Sequence, residues 1–369
     1  MTGTRNLAQL AAAAVVAVLV AVLAGPRPLH LAELSSGDED FADQVVAALG
    51  ERGHHEVAAA MIDGGRTVYA GFGGAGETTP FEIGSVAKVL TGMLLYDLTQ
   101  DGTVRLDQPV GELVPGTPLA GEKATLQELS QHRSGLPRLG GGTQILRSGI
   151  AGITGGDPYT GTPADVMAKA AKAGAPGGGE PSYSNLGVAT LGDALAVKAG
   201  RPYPVLLRER LLEPLAMTDT TVVTTTSELP AGRAEGADAN TGRGHDPWIA
   251  AGWAPAGIGV WSTARDLASL AAGILAGTAP GVKATEPTQD YREGGRIGLG
   301  WMISKVGGRT ITWHNGAVGG STAWLGIDRE GGRAVVLLSA SSETVDEAGE
   351  QLLTGGGFGG DGSGDGGEG

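Results

Sequence analysis

The feature that most constrains this chain is a serine followed three residues later by a lysine, placed where a helical pattern begins. Residues 81–90 read FEIGSVAKVL, and apolar residues recur at helical spacing up to Leu98. Ser85 therefore lies at the first turn of a predicted helix, where free N–H groups and the helix dipole favour negative charge. Lys88 lies about one turn further on and can reach the Ser85 hydroxyl. Contact with an apolar helix face lowers the pKa of a lysine, so the pattern predicts an activated serine nucleophile.

The same residues also have a purely structural interpretation. Ser85 would then be a helix N-cap and Lys88 a solvated surface residue, and a Ser-x-x-Lys spacing occurs by chance in many chains. The choice between the two interpretations depends on the other motifs of the chain.

A second motif surrounds Tyr183, which is the only tyrosine of the chain with an asparagine two residues later. It lies on a predicted loop that enters a helix. A phenol held near a lysine is drawn toward phenolate and can act as a general base or proton relay. The Asn185 amide offers both a donor and an acceptor to a substrate amide. The structural alternative is a half-buried aromatic side chain followed by an N-cap asparagine.

A third motif, with the sequence HNG at 314–316, lies on a predicted strand that is followed by small residues. Gly316 lets a ligand approach the strand, and the next backbone N–H, that of Ala317, can stabilise a developing oxyanion. An imidazole at His314 with an ordinary pKa near 6.5 would titrate in the working range of an enzyme. The structural alternative is a histidine packed within the sheet.

In chain order, these motifs resemble those of the penicillin-recognising serine hydrolases, which include class C β-lactamases, DD-peptidases, related esterases and D-amino-acid peptidases. The resemblance spans roughly residues 38–354, and the segments HRSGL (132–136) and EPLAM (213–217) are similar to further motifs of the family. It implies that Ser85 is the nucleophile and that Lys88 and Tyr183 transfer its proton. The substrate-binding residues that it implies are Asn185, His314, Gly316 and Ala317.

The third motif departs from that of the class C β-lactamases, which carry Lys-Thr-Gly where this chain has His-Asn-Gly. The competing sequence KVG at 305–307 lacks the threonine and lies at a predicted glycine turn. The histidine resembles the DD-peptidase, esterase and aminopeptidase branches of the family. The chain has no G-x-S-x-G elbow and no H-E-x-x-H, so we expect neither an α/β-hydrolase nor a metal site, and we predict no cofactor.

The order of predicted elements, together with the resemblance, indicates an α+β fold of the β-lactamase/transpeptidase type. We expect one antiparallel sheet flanked by helices and formed by residues 37–100 and 241–354, with an inserted all-helical domain at 101–240. Strands are predicted at 56–62, 67–72, 257–261, 298–305, 310–314, 321–327 and 333–338, before a closing helix at 342–353. Residues 139–162 are predicted to form a glycine-rich loop.

The two ends of the chain are predicted to lie outside this fold. Residues 1–24 contain an apolar run from Leu7 to Ala24, and we expect a signal peptide or a membrane anchor there. Residues 25–36 are predicted to be a linker that leads to a helix capped by Ser36, and residues 355–369 a disordered glycine-rich acidic tail. The protein is therefore expected to be secreted or membrane-anchored, facing outside the cytoplasmic membrane.

Composition limits the partners of the chain. A net charge of -14 over 369 residues argues against nucleic acid, and the absence of cysteine excludes disulfides and thiol chemistry. The resemblance implies an extracytoplasmic serine hydrolase that forms an acyl-enzyme with an amide or ester. Its substrate would be a small molecule or a peptide, with peptidoglycan-derived peptides as one candidate. The alternative is a non-catalytic or slowly acylated penicillin-binding sensor or scaffold of the same fold.

Overall fold

The computed structural model describes residues 27–291 and 294–355, and its main feature is an antiparallel sheet. The strands are β1 (Leu34–Gly37), β2 (Val57–Asp63), β3 (Arg66–Phe72), β4 (Phe81–Glu82), β5 (Thr221–Val222), β6 (Val260–Ser262), β7 (Gln289–Asp290), β8 (Arg296–Ile297), β9 (Met302–Val306), β10 (Arg309–Ala317), β11 (Thr322–Asp328) and β12 (Arg333–Ser339). Within these residues, nine strands form one sheet in the order β1-β3-β2-β12-β11-β10-β9-β8-β7, and β4, β6 and β5 form a separate small sheet.

Helices cover this sheet on both sides. The α-helices are α1 (Glu39–Leu49), α2 (Ala87–Gln100), α3 (Val110–Leu113), α4 (Leu126–Ser130), α5 (Gly142–Thr154), α6 (Pro163–Ala173), α7 (Asn185–Ala199), α8 (Tyr203–Leu207), α9 (Ala264–Leu275) and α10 (Asp346–Thr354). Short 3₁₀ segments lie at Gly84–Val86, Thr226–Glu228, Ala251–Ala256 and Val282–Thr285, and a π-helical turn at Arg208–Leu212. The α+β class is therefore confirmed.

The sheet is built from both ends of the chain, as the sequence predicts. Strands β2 and β3 form a hairpin around Gly64 and Gly65, whose positive φ angles of 56° and 83° suit the tight turn between two strands. The hairpin joins the C-terminal strands through β2, which pairs antiparallel with β12 along its whole length.

The core lies on both faces of the sheet because side chains alternate along each strand. On one face of β2, Ala59 and Met61 pack with Phe41 of α1 and with Leu352 of α10. On the other face, Ala58 and Ala60 belong to a larger apolar cluster that includes α9 and the helical region. Strands covered on both faces are apolar throughout rather than alternating, which explains the continuous burial of β12.

Side-chain caps fix the starts of two helices in the helical region. Thr125 and Glu128 form a capping box at the start of α4, and Thr162 and Asp165 form another at the start of α6. Helix α7 is buried over most of its length and packs against α2, α4, α6 and the Ala251–Ala256 segment. Helix α2, which follows Ser85, therefore lies between the helical region and the sheet.

Two predictions at the N-terminal side of the sheet were wrong. Residues 34–36 of the predicted linker, together with Gly37, form the edge strand β1, which pairs with β3. The N-cap of α1 is Asp38 rather than Ser36, because the Asp38 carboxylate accepts a hydrogen bond from the Phe41 N–H at 3.0 Å. The strand escaped prediction because all four of its residues are exposed and carry no burial pattern.

Three further segments differ from the sequence interpretation. Residues 142–154 form α5 where a loop was predicted. The strand expected at 257–261 is reduced to β6, because Gly257 and Gly259 take positive φ angles of 104° and 77° that a strand cannot accommodate. The closing helix begins at Asp346 instead of 342.

The predictions for the ends of the chain fall largely outside the described residues. This holds for the leader or anchor at 1–24 and for the tail beyond Gly355. In the part of the chain that the structure describes, no helix is both long and apolar enough to cross a membrane. The expected limits of the two domains stay a prediction.

Candidate active site

Ser85 and Lys88 meet at the start of α2. Ser85 lies in the 3₁₀ turn Gly84–Val86, and the helix that follows brings the Lys88 Nζ to 2.7 Å from the Ser85 Oγ. The same Nζ donates to the Ala256 carbonyl oxygen at 2.7 Å. Lys88 is fully buried, and burial, followed by the charge of Arg138, lowers its pKa well below the ordinary value. A neutral amine beside a hydroxyl can accept its proton.

The third motif lies against the serine turn because of how β10 is paired. Strand β10 pairs with β11 up to Ala317, but with β9 only from Arg309 to Trp313. Residues 314–317 therefore have one edge that β9 leaves uncovered. That part of β10 contacts the Gly84–Val86 turn.

Two glycines allow this close approach. A Cβ atom added to Gly316 would lie 2.0 Å from the Ile83 carbonyl oxygen and 3.1 Å from the Ser85 nitrogen. One added to Gly84 would lie 3.0 Å from the Ala317 nitrogen, and Gly84 also has a positive φ of 49°. The backbone nitrogens of Ser85 and Ala317 thus lie at the same junction, which is the arrangement of an oxyanion hole.

Tyr183 lines the cleft beside this pair. Its ring centroid is 5.1 Å from the Lys88 Nζ, and its hydroxyl is close enough to Ser85 for the serine to lower the pKa of the phenol. Burial raises the pKa of Tyr183 above its ordinary value, against smaller lowering effects of Ser85 and Arg138. The expectation that the phenol is drawn toward phenolate was therefore wrong, since loss of solvent outweighs the nearby cations. The geometry favours a neutral phenol that relays a proton.

Asn185 is the first residue of α7, whose N-cap is Ser184, so the N-cap interpretation of Asn185 was wrong. Its Nδ2 donates to the Tyr159 hydroxyl at 3.0 Å. Its Oδ1 is buried and has no hydrogen-bond partner within residues 27–291 and 294–355. A buried amide oxygen without a partner is costly, so this atom is suited to accept an N–H from a ligand.

His314 is buried and neutral. Its Nδ1 donates to the Asn315 carbonyl oxygen at 2.6 Å, which leaves Nε2 as an acceptor. Nε2 is buried and lacks a partner among the described residues. Burial, with the nearby Lys88, lowers the pKa of His314 to about 3. The expected titration near 6.5 was therefore wrong, because the ring is not solvated.

A cleft of about 590 Å³ lies beside the candidate site. It is bordered by Tyr183 and Asn315 and extends along β9 to Lys305. The predicted competitor at 305–307 indeed lies at the turn between β9 and β10. No cluster of His, Cys, Asp or Glu able to hold a metal ion occurs among the residues that the structure describes.

Sequence reasoning missed several residues of the site. The Arg138 guanidinium lies 5.4 Å from the Tyr183 ring centroid, and the His132 ring lies 4.4 Å from it. Tyr159 holds Asn185 from the segment that was interpreted as an unpatterned loop. Only His132 had a signal, the HRSGL segment, whereas Arg138 and Tyr159 belong to no recognised motif.

Comparisons with known proteins identify similar sequences and similar folds. The sequence model of the Beta-lactamase family matches residues 41–354. The D-alanyl-D-alanine-carboxypeptidase/endopeptidase AmpH of Escherichia coli K12 is 31% identical over 216 residues, which are 53% of this chain and 52% of that protein. The chain thus spans about half the length of this curated relative.

Two solved structures share the fold. The octameric penicillin-binding protein homologue from Pyrococcus abyssi superposes with a TM-score of 0.70 and 26% identity, over 85% of this chain and 75% of that one. A D-stereospecific amidohydrolase from Streptomyces sp. gives a TM-score of 0.69 with 24% identity, over 85% and 98% of the two chains, which supports the fold alone. Each superposition covers both the sheet and the helical region.

Proposed function

This chain belongs to the Beta-lactamase family, whose members are serine hydrolases, and on that premise we propose that it is itself a serine hydrolase that forms an acyl-enzyme. The observation that carries the proposal is the fully buried Lys88, whose Nζ lies 2.7 Å from the Ser85 Oγ. A lysine on the surface would be protonated and could not take up the serine proton. A lysine kept neutral by burial can.

Acylation would begin with attack of the Ser85 Oγ on the carbonyl carbon of an amide or ester. Lys88 takes the Oγ proton as the new C–O bond forms. The carbonyl oxygen gains negative charge, and the backbone N–H groups of Ser85 and Ala317 donate to it. Donors of this kind, fixed before the reaction, commonly contribute about 10²–10³ in rate each.

Collapse of the tetrahedral intermediate requires a proton on the leaving group. Tyr183 remains a neutral phenol, so it can give its proton to the leaving nitrogen or oxygen and recover one from Lys88. The bond between carbonyl carbon and leaving group breaks, and the acyl group stays on Ser85. Water then attacks the ester with the same groups in reverse order, which frees the serine.

Substrate binding would use the two buried acceptor atoms that lack a hydrogen-bond partner among the described residues, Asn185 Oδ1 and His314 Nε2. The Asn185 Oδ1 accepts a hydrogen bond from an N–H group on the acyl side of the substrate. The His314 Nε2 accepts a hydrogen bond from a donor group of the substrate near β10. Because His314 is neutral, it does not itself supply the cation that the Lys-Thr-Gly motif provides in class C β-lactamases. We therefore favour a DD-peptidase, D-amino-acid peptidase or esterase over an efficient β-lactamase.

The activities of similar proteins point the same way. AmpH is a D-alanyl-D-alanine carboxypeptidase and endopeptidase, and the Streptomyces protein is a D-stereospecific amidohydrolase. We propose peptides that end in D-amino acids, such as fragments of peptidoglycan, as the first substrates to test. The apolar run at residues 7–24 supports a site of action outside the cytoplasmic membrane.

The test is covalent labelling followed by a substrate panel. Intact-protein mass is followed in time with a fluorophosphonate and with a β-lactam, for the native chain and for Ser85→Ala. The expected result is one adduct, on the peptide that contains Ser85, and turnover of a D-Ala-D-Ala peptide or a short acyl ester. Labelling elsewhere, or full activity of Ser85→Ala, would refute the proposal. A stable adduct without turnover would instead identify a penicillin-binding sensor.

A further inference from the structure

Helix α5 (Gly142–Thr154) is packed the opposite way to an ordinary surface helix. Its buried positions include Gln144, whose side-chain amide donates to the Pro158 carbonyl oxygen at 2.7 Å, and Ala151. A surface helix normally buries an apolar stripe and exposes its polar side. In α5 the long polar side chain faces the protein.

The outward side of α5 is apolar. Among the described residues, seven large apolar side chains are exposed, and four of them lie on this helix: Ile145 (63%), Leu146 (66%), Ile150 (53%) and Ile153 (75%). With 3.6 residues per turn, these positions fall within one arc of about 140°. We call this surface the apolar face of α5. A contiguous exposed patch of this kind marks an interaction site rather than ordinary surface.

The described chain begins beside the C-terminal end of this helix. The Arg27 N–H donates to the Thr241 carbonyl oxygen at 3.1 Å, and the Arg243 guanidinium donates to the Ile153 carbonyl oxygen at 2.6 Å. The first described residue, Arg27, therefore lies beside residues 241–243, which contact α5.

The charges on α5 itself suit an anionic surface. Arg147 is exposed on the helix, Arg243 is exposed at its C-terminal end, and α5 contains no acidic residue. One exposed acidic residue, Asp246, lies just beyond the helix, where its N–H donates to the Gly155 carbonyl oxygen. The charge of α5 contrasts with a chain whose net charge is -14. Helices that lie in the membrane interface combine a wide apolar face with basic side chains at its margin.

We propose that the apolar face of α5 is a membrane-contact surface, which inserts into the interface of a lipid bilayer beside the point where the described chain begins. The inner side of the helix supplies Ser148 and Ala151 to a smaller cleft, about 400 Å³, which Arg138 and Tyr159 also line. Membrane contact through α5 therefore holds the candidate active site close to the bilayer surface. The inference does not depend on the chemistry proposed for Ser85.

The absence of cysteine makes a site-specific test simple, because one introduced cysteine carries the only label. Full-length Ile153→Cys is labelled with a polarity-sensitive fluorophore and mixed with phosphatidylcholine/phosphatidylglycerol vesicles that contain a nitroxide lipid. The matched control is Val197→Cys on α7, where the native side chain is 47% exposed. We expect a blue shift and at least twofold quenching at position 153, and neither at 197.

Each other outcome overturns the proposal. An unchanged signal at 153, whether or not the protein sediments with the vesicles, excludes contact through α5. If the label at position 153 is already blue-shifted before vesicles are added, the apolar face of α5 binds residues 7–24 of the same chain. If the blue shift grows with protein concentration, the apolar face of α5 binds a second copy of the chain. A second variant, Leu146→Ser with Ile150→Ser, should weaken vesicle partitioning about tenfold and leave hydrolysis of a soluble ester unchanged.

Discussion

Replacing Gly316 by alanine tests the junction between β10 and the serine turn, because this change adds one methyl group to the closest contact of the site. The added Cβ would lie 2.0 Å from the Ile83 carbonyl oxygen, whereas real Cβ contacts are not found below 3.0 Å. The strand or the turn must therefore move by about 1 Å. The Ala317 N–H, one residue on, would move with it, away from the position that a carbonyl oxygen occupies on Ser85.

The size of the effect follows from that displacement. A misplacement of about 1 Å commonly costs about 10² in rate, and loss of one oxyanion donor costs about 10²–10³. We expect kcat/KM of Gly316→Ala to fall by about 10²–10³, with most of the loss in kcat because the donor acts in the transition state. Overpacking should also lower the stability by about 1–3 kcal/mol.

The assay compares fluorophosphonate acylation rates and ester turnover, at a temperature where thermal melting shows both proteins folded. Gly121→Ala is the control, since a Cβ there would meet no atom within 4 Å. Gly316→Ala with native kcat/KM, or with a loss confined to KM, would show that the junction does not hold the oxyanion.

Three further predictions follow from the burial of ionisable groups. Lys88→Met, which keeps most of the side-chain volume, should abolish acylation in the labelling assay. Adding Tyr183→Phe to this variant should cost little more activity, because Lys88 and Tyr183 act as a unit. Additive losses of activity in the double variant would contradict this. The folded pKa of His314, about 3, is depressed, so its stabilising contribution is full above about 6.5 and is lost as the pH falls toward 3. His314→Gln should therefore reduce the pH dependence of the unfolding free energy, measured by denaturant titration across this window, by up to about 1.4 kcal/mol per pH unit; an unchanged pH dependence would contradict this. Asp193 is buried with no partner for either carboxylate oxygen among the described residues, and burial raises its pKa well above the ordinary value. Asp193→Asn should therefore raise the melting temperature more at pH 7 than at pH 4; an equal change at both would show that Asp193 is not protonated in the fold.

The sequence predicted those parts of the structure whose geometry depends only on residues that are close together in the chain. The three-residue spacing of Ser85 and Lys88 is enough to bring them together on any helix, and the Gly64–Gly65 turn is enough to join β2 and β3. The roles of these residues do not require knowledge of distant contacts.

The missed features depend on contacts that the sequence does not encode locally. Tyr159 reaches Asn185 across 26 residues, and no pattern in either segment indicates the pair. Helix α5 was missed because its glycines weaken the helical signal and its apolar residues face outward, so the usual link between apolar spacing and a core was broken. The low pKa of His314 arises from burial and from the nearby Lys88, which only the assembled fold brings to it.

The pairing of β2 with β12 has a consequence for how the protein acquires its activity. The partners Asp63 and Arg333 are separated by about 270 residues, so β2 and β12 can pair only after most of the described chain has left the ribosome. Such non-local pairing makes folding slow and leaves the β2–β3 hairpin without its neighbour for most of synthesis. Ser85 and Lys88 can form their helix early, but Ala317 reaches them only when the last strands assemble. A nascent or truncated chain would therefore carry a nucleophile with no oxyanion hole, and reactivity would arise in the final step of folding.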